Sequence, residues 1–192
     1  MHDPQELPGE SIQTAIQRLK QGDMSGLETL VACYQAKAVR IAFLITQDEP
    51  AAEDVVQDTF IRITQRIRYF DQSRPFEPYL IHSVVNAALN AARQANKSVS
   101  LKDNPGDVEA ILSRAASPET QAEAGQLTHE ILTALSELSP RQRAVIVQRY
   151  YLGMSEKEMA DALHSAPGTI KWLLNAARTR LRDLLGSERS TK

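Results

Sequence analysis

From Met24 to Arg93 the apolar residues of this 192-residue chain recur every three or four positions, the period of one face of an α-helix. That rhythm leaves little choice of architecture. Leu27, Leu30, Val31, Tyr34, Ala38, Ile41 and Ile45 trace one face of a long helix from about Met24 to Thr46, stopped by Asp48, Glu49 and Pro50. On a second helix, 51 to 67, Val56, Phe60, Ile63 and Ile67 form a core-facing stripe, while Glu53, Asp54, Gln57, Asp58, Gln65 and Arg66 face away. A loop from Tyr69 to Pro78 leads into a third amphipathic helix, Tyr79 to Arg93. No alternating run bracketed by turn residues marks a strand, so the chain reads as all-α.

The pattern breaks once. Residues 97–124 contain Asn-Pro-Gly and mixed charge and read as a flexible linker with at most a short helix near Val108 to Arg114. Helices resume beyond it. The expected organisation is therefore a tail and short helix (1–23), a helical domain (24–96), the linker, and a second helical domain (125–187). In the first segment, residues 1–10 look disordered, and a helix from Ser11 to Gln21 is bounded by Ser11 as N-cap and Gly22. In the last, Leu127, Ile131, Leu135 and Leu138 form a stripe; Ser139 and Pro140 start the next helix; Gly153 closes it. Ser155 and Glu158 spell a capping box for a short helix to Leu163, and after a tight turn a final helix runs from Pro167 to about Leu185. Two helices joined this way, the second basic toward its end, have the pattern of a helix-turn-helix.

Charge is segregated along the chain. The net charge of −2 argues against a protein that coats nucleic acid. Yet residues 130–192 carry ten basic against seven acidic side chains, while Asp48, Glu49, Glu53, Asp54 and Asp58 crowd together upstream. One face meeting a basic protein and another meeting phosphates would produce this; so would a solvated helix face. The single cysteine, Cys33, excludes an internal disulfide and suits a buried small hydrophobe. The acidic N-terminus and the lack of an apolar run approaching ~18 residues lead us to expect an unexported, cytoplasmic protein. No Gly-rich phosphate loop, His-carboxylate metal pair, or Ser or Cys beside a base appears, so no catalytic residue, metal or cofactor is expected and an enzyme is not.

Three groups of residues stand out. Asn86 and Asn90 lie four apart on one helix face, suited either to one extended ligand or to helix-to-helix hydrogen bonds. Phe70, Phe76 and Tyr79 are core plugs or platforms for flipped bases, and Arg74 can pair with phosphate or stack on a base. On the last helix, Ile170, Leu174, Ala177, Leu181 and Leu184 point inward, and Lys171, Trp172, Asn175, Ala176 and Thr179 outward, with Arg178, Arg180 and Arg182 facing phosphate or solvent.

AEDVVQDTF, FDQSRPFEPYL and VVNAALNAAR, in that order, closely resemble the second conserved region of bacterial sigma factors of the extracytoplasmic-function (ECF) group. ALSELSPRQRAVIVQRYYLGMSEKEMADAL followed by GTIKWLLNAARTRLRDLL resembles the fourth. The resemblance implies a transcription initiation factor that binds core RNA polymerase at the β′ clamp and β flap, directs it to promoter DNA and helps to melt it. By position it makes Asp54, Gln57 and Asp58 polymerase contacts, and Arg74, Asn86, Asn90 and Arg93 contacts to melted DNA. Thr169, Lys171, Trp172, Asn175 and Arg178 would read the upstream element. Family members are usually held inactive by an anti-sigma factor. The chain departs from the family where His164 replaces a glycine and Ala166 a hydroxyl cap, and where Leu173 and Ala176 replace frequent arginines, which implies fewer phosphate contacts. Trp172 beside them packs on a thymine methyl, anchors a partner, or folds onto the core. The competing readings are a helix-turn-helix regulator acting without polymerase and a protein-interaction module whose reading helix has decayed.

Overall fold

A computed structural model describes residues 11–98 and 130–189, all helices and turns with no strand among them. The expected N-terminal tail, the linker with its short helix, and Leu127 lie outside the described residues. We number the helices α1 (Ile12–Lys20), α2 (Ser25–Thr46), α3 (Glu49–Arg66), α4 (Phe76–Ser98), α5 (residues 130–136), α6 (Pro140–Ile146), α7 (Glu156–Ala162) and α8 (Pro167–Arg189).

The first four form a bundle around α2. Ser11 caps α1, its hydroxyl accepting from the Thr14 N–H at 3.2 Å. Gly26 sets how closely α1 crosses α2, because a Cβ there would sit 2.1 Å from the Ala15 carbonyl oxygen. Asp48 caps α3 by accepting from the Ala51 N–H at 2.9 Å, with Pro50 in the first turn. Val56, Phe60, Ile63 and Ile67 are all buried, as the stripe requires. A 3₁₀ turn, Ile67–Tyr69, then ends the helix.

α4 starts at Phe76, three residues before the expected Tyr79. Pro78 falls in the first turn, where a missing N–H costs no intrahelical bond, so it opens the helix instead of delaying it. Phe70 and Phe76 are buried and ring-packed with half-buried Tyr79 and with Tyr34 at centroid distances of 5.0 to 6.2 Å. They are core plugs. Burial also raises the Tyr34 hydroxyl to about 12, with Glu77 adding to the shift.

α2 is long and apolar enough to cross a membrane by length and composition, contrary to the sequence expectation that no run approaches this. Its apolarity has a local cause: Leu30, Tyr34, Ala38, Ile41, Ala42 and Ile45 are buried against α1, α3, α4 and α6.

The second group is built from short pieces. Ser139 and Gln142 form a capping box on α6, and Ser155 and Glu158 form another on α7. Between them Val147–Tyr151 is a π-turn, closed by Leu152 N–H donating to the Val147 carbonyl at 3.1 Å. Gly153 follows at φ +68°. Of the expected stripe through α5 and the turn after it, Leu135 and Leu138 are buried, whereas Ile131 is exposed and Leu132, one residue on, takes its place in the core. Cys33 is a free thiol, half-buried against the core.

The two groups touch along α6, which lies on α2 and α4. Arg143 is buried there; its Nε donates to the Ile45 carbonyl at 2.7 Å and its Nη1 to the Leu138 carbonyl at 2.8 Å. Burial lowers its pKa to about 10, which still leaves it charged at neutral pH. Ile45 lies in the last turn of α2, where carbonyls lack intrahelical partners, so the second group satisfies an end of the first.

Candidate nucleic-acid and protein interfaces

Asp54, Gln57 and Asp58 are all exposed on the face of α3 opposite the core stripe. Asp58 is paired with Arg62 one turn on, at 3.2 Å, a contact worth little on an open surface. Ile61 shares this face and is 46% exposed, and the sequence reading passed over it. An isoleucine outside the 56, 60, 63, 67 stripe was the available signal. The arrangement is an apolar residue among carboxylates and an amide on an open helix face.

Arg74 lies in the loop before α4, highly exposed and 3.7 Å from Asp71. Asp71 itself is held below the usual carboxylate range by hydrogen bonds from Ser73. Asn90 and Arg93 are exposed on α4, whereas Asn86 is half-buried. Its Nδ2 lies 3.3 Å from His82 Nε2, which also stands 2.8 Å from the Ala162 carbonyl of α7. A carbonyl only accepts, so Nε2 carries the proton directed at it, and the Asn86 amide nitrogen, itself a donor, stands beside Nε2 without bonding to it. His82 also packs edge-on to His164 at 6.0 Å between centroids. The two asparagines thus share a helix face, but Asn90 is open and Asn86 borders the second group. A cavity of about 1000 Å³ lies along this junction, with Arg74, Ile81, His82, Gln148 and Asp161 in its wall. Neither His82 nor Arg143 was singled out from sequence. Their partners lie 80 and 98 residues away, and no local pattern announces such a contact.

On α8, Thr169, Lys171, Trp172, Asn175 and Arg178 are all exposed. Trp172 is 66% exposed, which removes the core reading for it. Leu173 is 6% exposed, so it is a core residue, and its side chain displaces no phosphate contact from the outer face; only half-buried Ala176 remains for that argument. Leu181 and Leu184, expected inside, are half-buried because the helix runs beyond its neighbours to Arg189. At the turn before α8, His164 adopts φ +46°, the left-handed conformation the missing glycine would take freely. Among the described residues no group of three or more His, Cys, Asp or Glu side chains could hold a metal ion.

Residues 30–98 match the sigma-70 region 2 family, and residues 128–181 match sigma-70 region 4. The chain is similar to the ECF RNA polymerase sigma factor SigL of Mycobacterium tuberculosis, with 34% identity over 146 residues, 74% of this chain and 79% of that protein. It is also similar to the ECF RNA polymerase sigma factor SigW of Bacillus subtilis, with 26% identity over 180 residues, 91% of this chain and 96% of that one. Among solved structures, CnrH in complex with the cytosolic domain of CnrY aligns at TM-score 0.62 and 22% identity, covering 93% of this chain and 99% of CnrH. The sigma factor RpoE of Bartonella quintana, solved with the anti-sigma factor NepR, aligns at TM-score 0.58 and 23% identity, covering 83% and 96%. At these identities the structural likeness is one of fold.

Proposed function

This chain belongs to the ECF sigma factors of RNA polymerase, the promoter-directing initiation factors, and from that premise we propose which of its surfaces does what. The domain at 24–96 attaches to core polymerase through Asp54, Gln57 and Asp58 on the β′ clamp, and the domain at 125–187 reads the upstream element through Thr169, Lys171, Trp172, Asn175 and Arg178 while resting on the β flap. Arg74, Asn86, Asn90 and Arg93 hold unpaired bases and the backbone beside them. The observation that carries this is the placement of charge: an exposed acidic face on α3 and an exposed face bearing Lys171, Arg178 and Arg182 on α8, on separate domains.

The mechanism is selective binding. Unstacking a base costs a few kcal/mol, offset when the exposed base is captured, so the protein shifts an equilibrium and makes or breaks no bond. It is not an enzyme and works in the cytoplasm, where polymerase and promoter are. A regulatory protein partner of the anti-sigma kind covers these surfaces, a reading supported by the RpoE complex with NepR.

Run-off transcription with purified core polymerase on a library of genomic upstream fragments tests the whole. Initiation that depends on this chain identifies the promoter. Core binding without initiation leaves a docking protein with an inactive reading helix, and DNA binding without core binding leaves a stand-alone helix-turn-helix regulator. On a responsive promoter, alanine at Asn86 and Asn90 should spare the closed complex and suppress permanganate reactivity of the melted strand.

A further inference from the structure

The π-turn sends two adjacent tyrosines in different directions. Tyr151 reaches the first domain, where Arg40 Nη1 donates to its hydroxyl at 3.4 Å. Tyr150 reaches α8, where Arg178 Nε donates to the Tyr150 hydroxyl at 2.8 Å and the guanidinium carbon stands 5.8 Å from the ring centroid. Tyr150 is nevertheless 63% exposed, so burial does not explain its place.

Arg178 belongs to a straight row. Lys171, Asn175, Arg178 and Arg182 follow at intervals of four, three and four, and all are exposed. Arg180 lies off this row and pairs with Glu137 at 3.6 Å, inside its own domain. Arg178 has Nε committed to Tyr150, while its two terminal nitrogens have no partner among the described residues. A guanidinium held at Nε, with both terminal nitrogens free, is a fork fixed for a phosphate, which takes bidentate donors. Fixing a long side chain before binding removes part of the ordering cost.

We propose that Tyr150 is a positioning residue that holds the Arg178 guanidinium for a backbone phosphate of the upstream element. The proposal rests on α8 being the DNA-reading helix, and the experiment separates the two. Closed-complex affinity of the reconstituted holoenzyme is measured against salt on the promoter fragment recovered by run-off transcription. Arg178→Ala should lower affinity and reduce the salt slope by about one. Tyr150→Phe, which keeps the ring and loses the hydroxyl, should lower affinity several-fold in the native background. It should have no effect with Arg178→Ala or with Arg178→Lys, because lysine has no Nε–H to be held. Thermal stability of Tyr150→Phe should match the native chain. If Arg178→Ala changes the slope but Tyr150→Phe changes nothing, the positioning role is wrong. If both lower stability and leave the slope intact, the pair is an internal staple and the proposal falls. If alanine at Lys171, Asn175 and Arg178 together leaves affinity unchanged, α8 is not the reading helix and both ideas fail.

Discussion

The two halves of this molecule hold their shape by different means. In residues 11–98 the helices α2, α3 and α4 are 22, 18 and 23 residues long and are ordered by broad apolar faces around α2. In residues 130–189, α6 and α7 are 7 residues each, too short to be stable alone, and they depend on two capping boxes, a π-turn and a left-handed residue. Apolar volume dominates the first half, whereas in the second end chemistry supplements a core carried by shorter helices. The exposed faces follow suit: the acidic face of α3 is what remains of a long helix after its core stripe is subtracted, whereas the α8 face is oriented by the turns that precede it.

Substitutions in each half probe this division. The largest effect is expected from reversing the charge at both Asp54 and Asp58: core-polymerase affinity should fall about 100-fold or more, while circular dichroism remains that of the native chain, because neither residue touches the core. Unchanged affinity would remove α3 as the docking face. Next comes Gly26→Ala, where a single methyl meets the Ala15 carbonyl; the crossing of α1 and α2 must open, at about 1 to 3 kcal/mol in chemical denaturation. A neutral result would show that α1 yields freely and that volume is not what orders this end.

In the second half His164→Gly should stabilise, since glycine takes φ +46° without a Cβ penalty, by about 0.5 to 1 kcal/mol after its greater unfolded freedom is counted. The thermal midpoint reads it, and a fall would mean that the ring contact with His82 outweighs the backbone strain. The smallest effect is on pH dependence. Hydrogen bonds from Ser155 hold Glu158 below the ordinary carboxylate value. A lowered pKa in the folded chain contributes stability that is complete above the ordinary value and is lost as pH falls through the folded one. The protection of amides across Glu156–Ala162, taken relative to their intrinsic exchange at each pH, should therefore fall on acidification in the native chain, and Glu158→Ala should show the reduced protection already at neutral pH. Equal exchange in both would exclude the capping box as the clamp on α7.

Much of the fold was legible because helical period and caps are local. The α3 stripe, Ser11, Ser139 and the Ser155–Glu158 box all fall where residue spacing places them, whereas Asp48, read as part of the stop of α2, caps a helix α3 that starts at Glu49 and not at 51. His164 was legible for another reason: a side chain standing at a turn where the resembled family has glycine marks a required backbone conformation. What escaped was contact between distant pieces. Leu173 looked like a lost arginine until α8 was seen to bury two adjacent faces, Leu173 with Leu174, against α6 and α7. The Arg143 bond to Ile45 and the His82 bond to Ala162 depend on how the halves meet, which periodicity within either half does not encode. The candidate site divides the same way: Asp54 and Lys171 are exposed as their helix positions predicted, and Asn90 is exposed too, while half-buried Asn86 lies 3.3 Å from His82, whose own bond to Ala162 comes from the other half.

The π-turn at Val147–Tyr151 acts as a counter of residues. A turn closed from residue 152 back to 147 takes up one more residue than an ordinary helical turn. Deleting one residue there would leave a regular helix, with no gap to reveal the loss, and would swing all that follows by roughly 100° about its axis. The stretch therefore transmits length as angle: the bearing of α8 is set by how many residues stand between Ile146 and Leu152, and a change of one would redirect it as surely as a hinge.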